Sequence, residues 1–163
     1  LFRSPLFDAI YILKHCEEHI FESGIGLRQP IDWLLHITAY KDSLQSDLEQ
    51  ALKKLDLYSL AQAIAYIGVH YLGLSSASLP ITPPITCPQA DLLLQDIFAG
   101  GNFGHHNINN KPNIIHKNKW HTKWRNFNLA MQRKKHLHAL SPAEGRWLPY
   151  MKIRNRLYAL TCN

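Results

Sequence analysis

A run of helical periodicity is broken once, early, by two glycines one residue apart: Ser23-Gly24-Ile25-Gly26-Leu27-Arg28-Gln29-Pro30-Ile31-Asp32-Trp33. Before it, Leu6, Ile10, Leu13, Cys16 or Glu17, and Ile20 recur at three- and four-residue steps, flanked by Phe7, Tyr11 and Phe21. After it, Leu27, Ile31, Leu34 and Leu35 resume the same spacing. Apolar residues at this period mark one face of a helix. Glycine supplies the left-handed backbone that ends one. The stretch therefore predicts a tight helix–turn–helix corner, with Gly24 and Gly26 as its turn. Proline at 30 fits only the first turn of the second helix, which places its start near Leu27 to Gln29.

The rest of the chain repeats the pattern. Ser4-Pro5 reads as an N-cap and a first-position proline, opening a helix to about Glu22. A second helix is expected to about Tyr40, a third over 43–55 and a fourth over 60–72. Ser46-x-x-Glu49 and Ser59-x-x-Gln62 have the form of capping boxes. The fourth is apolar nearly all round and is expected to be the central buried helix. Residues 74–88 hold four of the nine prolines and read as a crossing segment. Thr86-x-x-Gln89 with Pro88 opens a fifth helix over 91–98, which Gly100-Gly101-Asn102-Phe103-Gly104 ends. A flexible loop is expected over 102–118, a sixth helix over 119–140, and a last one after Ser141-Pro142-Ala143-Glu144. No stretch alternates with period two. The expected fold is all-α, an irregular bundle of about six or seven helices in one domain spanning 1–163.

Charge divides the chain. Residues 1–100 carry six Lys/Arg against eleven acids, a net of −5. Residues 101–163 carry twelve against Glu144 alone, a net of +11. The basic part, with Lys119, Lys123, Arg125, Arg133, Lys134 and Lys135 interleaved with Trp120 and Trp124, has the composition of a nucleic-acid surface. A basic amphipathic helix can also lie on an anionic membrane, or pack on acidic protein. Three scattered cysteines without a C-x-x-C pair favour reduced thiols and a cytoplasmic setting. No apolar run approaches the length of a membrane span.

Two constellations carry chemistry. His15 and His19 stand four apart on one helical face, but Cys16 occupies the place a zinc-protease glutamate would need, and no third ligand is evident. No metal is expected there; the two rings are expected to line the corner and bond to backbone or to Asp32. Arg28, Gln29 and Asp32 open the second helix. An arginine beside free N–H groups at a helix start can hold a phosphate or carboxylate, or can simply pair with Asp32 one turn on.

The run His19-Ile-Phe-Glu-Ser-Gly-Ile-Gly-Leu-Arg-Gln-Pro-Ile-Asp-Trp33 resembles the signature of an uncharacterised bacterial nucleotidyltransferase-like family. Supporting matches fall at Leu55-Asp56-Leu57, Tyr71-Leu72-Gly73-Leu74 and Gly100–Gly104, over roughly 5–125. The resemblance is to the helical C-terminal part. It implies a substrate-side domain, with Arg28, Gln29, Asp32, His15 and His19 facing a cleft. Nucleotidyl transfer from a nucleoside triphosphate with Mg²⁺ would belong to an N-terminal catalytic half bearing a Gly-Ser turn and an Asp-x-Asp strand. Neither motif occurs in this chain, which also begins at Leu1 without methionine, so a fragment is expected. It is expected to have no catalytic residue of its own and no cofactor of its own. Its partners would be that missing half and a nucleotide or nucleic acid.

Overall fold

The computed structural model describes residues 4–22, 24–100, 138–142 and 150. Among them the fold is all-α, with six α-helices, one 3₁₀ turn and no strand. The expected loop over 102–118, the helix over 119–140 and the basic patch Lys119, Lys123, Arg125, Arg133, Lys134 and Lys135 lie outside the described residues.

Helix α1 (Pro5–Glu22) begins as its sequence dictates, with Pro5 first and the Asp8 amide donating to the Ser4 carbonyl at 3.1 Å. Its core face is Ala9, Leu13, Cys16 and Ile20, joined by Phe21. Phe7 and Tyr11, expected to flank the buried stripe, are instead exposed on the opposite side. α2 (Arg28–Ala39) starts within the expected window and buries Trp33, Leu34 and Ile37. The Trp33 indole donates to the Ala9 carbonyl at 2.9 Å, and His36 Nε2 donates to the Pro5 carbonyl at the same distance. These two bonds lock α2 along α1.

The helix expected over 43–55 is two helices, α3 (Lys41–Leu44) and α4 (Leu48–Lys54). A turn at 45–47 separates them, closed by the Asp47 amide on the Leu44 carbonyl at 3.2 Å. Leu44, Leu48 and Leu52 are all fully buried. The break lets α3 and α4 each lie against α1. The residue preceding α4 is Asp47, and no side-chain cap closes it, so the Ser46–Glu49 box is unused.

α4 ends in a Schellman turn. The Leu57 amide reaches the Leu52 carbonyl at 2.9 Å, the Asp56 amide reaches Lys53 at 3.3 Å, and Asp56 takes φ +58°. Leu52 and Leu57 close the motif's hydrophobic contact from full burial. The chain then enters α5 (Tyr58–His70) directly, two residues ahead of the Leu60 start that the sequence pattern suggests. Leu57 precedes α5 without a side-chain cap, so the Ser59–Gln62 box is also unused. Gln62 instead donates to the Tyr58 hydroxyl at 3.0 Å.

α5 is the central helix, as its all-round apolar pattern implies, with Leu60, Ala61, Ala63, Ile64, Ala65, Ile67 and Gly68 buried. A Cβ on Gly68 would come within 3.0 Å of both Leu34 methyls and of a Leu74 methyl, so this glycine sets the close approach of α2 to α5. Past α5, residues 74–87 cross the surface with only a 3₁₀ turn (Ser76–Ser78) and insert Leu79 and Ile81 into the core. α6 (Pro88–Gly100), opened by Pro88, packs on α5 and is longer than the sequence pattern suggests. The Tyr71 hydroxyl donates to Asp91 at 3.1 Å, joining the end of α5 to the start of α6.

Candidate functional site at the first helix corner

Helix α1 closes with the Gly24 amide on the His19 carbonyl at 2.8 Å, five residues back. Gly24 takes φ +94°. Gly26 has no positive φ, so the left-handed step falls on Gly24 alone, which corrects the reading of both glycines as special backbone. Gly24, Ile25 and Gly26 are buried, so the turn folds inward and seats the start of α2 on the bundle.

Arg28 is the first residue of α2. Its guanidinium Nε stands 3.7 Å from Asp32 Oδ2, with the Arg28 side chain 87% and the Asp32 side chain 55% exposed. At that separation and exposure the pair is loose, and contributes at most a few tenths of a kcal/mol. The guanidinium is thus held in place at its root but keeps its donors toward solvent. Beside it, Gln29 points inward: its Oε1 is buried and meets no donor among the described residues. Pro30, Trp33 and Leu34 anchor the helix beneath them.

Asp32 lies close enough to α1 for its charge to act on Cys16. Burial first, and the Asp32 carboxylate second, push the Cys16 thiol up to about 12. A thiol so shifted is a packing group rather than a nucleophile. On α1 the rings next to Cys16 find each other: His15 and His19 bring their Nε2 atoms to 3.2 Å, with centroids 4.4 Å apart and planes at 81°. His15 also stacks on Tyr11, and Tyr11 on Phe7. His15 pairs with His19 within α1, and Arg28 with Asp32 within α2.

Several polar anchors are not evident from sequence pattern. Glu17 is buried and takes its salt bridge from Lys14. His36 lies one turn after Trp33 on the face that meets α1, and this spacing is the signal that would have found it. Glu49 holds Lys53 at 2.6 Å and Tyr58 at 3.2 Å, a small network over the α4–α5 corner.

Among the described residues no group of three or more His, Cys, Asp or Glu is arranged to hold a metal ion. No helix among them is long and apolar enough to cross a membrane. No family model, curated protein or solved structure matches this chain.

Proposed function

We propose that this chain is the helical, substrate-side domain of a nucleotidyltransferase-like protein, and that its first corner binds a phosphate-bearing ligand through Arg28. The observation that carries the reading is the 87% exposed Arg28 side chain at the first position of α2, only loosely tied to Asp32. A helix start offers N–H groups and the positive end of the helix dipole, and an arginine there adds planar, charge-assisted donors. Asp32 then holds the guanidinium until an anion displaces it. Gln29 supports the start of α2, and His15 and His19 border the site from α1.

Mg²⁺ and the carboxylates that bridge it to a triphosphate belong, in this reading, to an N-terminal catalytic half. Two-metal chemistry needs carboxylates held together on one rigid face. Asp47 and Glu49 are the only acids two apart in the chain; Asp47 precedes α4 and Glu49 lies in its first turn, where residues two apart diverge.

The test is titration of the purified chain with inorganic tripolyphosphate and with each nucleoside triphosphate, followed by amide chemical shifts. Binding should perturb residues 27–32 and weaken about tenfold or more in Arg28→Gln, the loss of a charge-assisted bond. Absence of binding at low salt, or binding indifferent to Arg28, refutes the reading. With Mg²⁺, labelled triphosphates and mixed acceptors, the chain alone should transfer no label.

A second reading rests on the charge division, −5 over 1–100 against +11 over 101–163. A basic segment of this strength suits RNA or an acidic partner. Reversing Arg133, Lys134 and Lys135 should then reduce the slope of log affinity against log salt.

A further inference from the structure

His15 and His19 offer a chemistry that phosphate binding does not use. They are four apart on an 18-residue helix, so the backbone fixes both on one face. Their Nε2 atoms are 3.2 Å apart, and the centroids are 4.4 Å apart with the planes at 81°, so the rings meet at an angle and not end to end. His15 is exposed, and its ring lies parallel to that of Tyr11, with 1° between the planes, which narrows its rotation.

Two imidazole nitrogens bound to one zinc-like cation at 2.0–2.1 Å are about 2.9 Å apart at a right angle and about 3.4 Å apart at the tetrahedral angle. The observed separation lies between these limits. We propose that His15 and His19 form a two-nitrogen chelating site for a late first-row divalent transition-metal ion, such as Cu²⁺, Ni²⁺ or Zn²⁺. Imidazole suits these ions, whereas Mg²⁺ and Ca²⁺ select oxygen. At 3.2 Å one Nε2–H donates to the other ring's Nε2. On binding, that proton passes to Nδ1 or to solvent, so both Nε2 lone pairs face the ion. The two rings supply two ligands, and the remaining positions go to water or to an oxygen or nitrogen of an incoming molecule. Such a site is exchangeable, and affinity should follow Cu²⁺ above Ni²⁺ and Zn²⁺.

The chain has ten histidines, so the experiment works by difference. Cu²⁺ is titrated into the full chain and into His15→Ala, His19→Ala and the control His70→Ala, whose ring stacks on Tyr66 away from this pair. Bound equivalents are counted by competition with a chromogenic chelator, nitrogen hyperfine structure is read by electron paramagnetic resonance, and circular dichroism checks that each variant is folded. The parent and His70→Ala should share one tight equivalent with two-nitrogen coupling. Either substitution in the pair should weaken that equivalent at least tenfold and remove the two-nitrogen signature, and Mg²⁺ in excess should not displace it. Equal stoichiometry and affinity for the parent and a folded His15→Ala or His19→Ala overturn the proposal. The phosphate reading is probed by Arg28→Gln without metal, so the two fail separately.

Discussion

Two tight corners among the described residues solve one problem with different residues. At the first, Gly24 takes φ +94° and its amide caps the His19 carbonyl; at the second, Asp56 takes φ +58° and the next residue, Leu57, caps Leu52. Both close a helix with a bond five residues back. At the second corner the flanking leucines are fully buried and the surface above them is an ion-pair and tyrosine network. At the first, the turn itself is buried and the residues beyond it, Arg28 and Asp32, are exposed and loosely paired. The difference teaches that a left-handed step does not by itself mark a site. One corner spends its polar groups on holding its own surface together, while the other keeps an arginine available.

The largest effect should come from Leu57→Ala. Removing a fully buried leucine from the Schellman contact should cost about 2–5 kcal/mol, read by chemical denaturation. If the loss is under about 1 kcal/mol, the second corner is not the firmer of the two. Next, Gly24→Ala should cost about 1–2 kcal/mol, because a Cβ is unwelcome at positive φ. Gly26→Ala should not carry this backbone penalty, so a larger loss at Gly26 than at Gly24 would relocate the special geometry of the first corner. A smaller effect of opposite sign is expected for Asp56→Gly. Relief of the left-handed strain should outweigh the added freedom of the unfolded chain, raising stability by up to about 1 kcal/mol. At the smallest end, Arg28→Ala should change stability by less than about 0.5 kcal/mol, as suits an exposed pair. A large loss would make Arg28 a structural residue.

The pH response separates the corners in the same way. The hydrogen bond from Lys53, chiefly, holds the Glu49 carboxyl below its ordinary value. A carboxyl lowered in the folded state adds stability above its unfolded value, near 4.5, and that stability fades as pH falls through the lower folded value. Since the Glu49 side chain is half-exposed and solvent screens the pair, the change should be small, visible as a slightly steeper acid limb in the parent than in Glu49→Gln.

What the sequence made legible follows from which signals are local. The start of α1 at Ser4-Pro5, the start of α2 between Leu27 and Gln29, the burial of α5 and the proline opening of α6 all rest on propensity or period, and the structure bears them out. The division into α3 and α4 was not legible, because Leu44, Leu48 and Leu52 keep one period across the break and only packing on α1 requires it. Neither Ser-x-x-Glu/Gln box is used, since the Schellman turn before α5 and the turn at 45–47 fix those helix starts from the preceding side. Asp56 escaped notice because glycine is the usual marker of a left-handed step. At the candidate site the i, i+4 pairings could be read directly, but not the depth of each group. Gln29 Oε1 is buried and Arg28 exposed although they are neighbours, and only the direction of α2 across α1 decides that.

The buried Cys16 gives the bundle a built-in clock. With its thiol raised to about 12 and its surface 1% exposed, alkylating reagents near neutral pH should meet it only when α1 lifts away from α2. Its modification rate therefore counts openings of the first corner, and should slow when a ligand clamps that corner shut. Alkali should reach it from the other direction. A thiol raised in the folded state adds stability that is intact below about pH 9 and drains away between there and about 12, so the same side chain that times the opening at neutral pH should also set where the bundle yields to base.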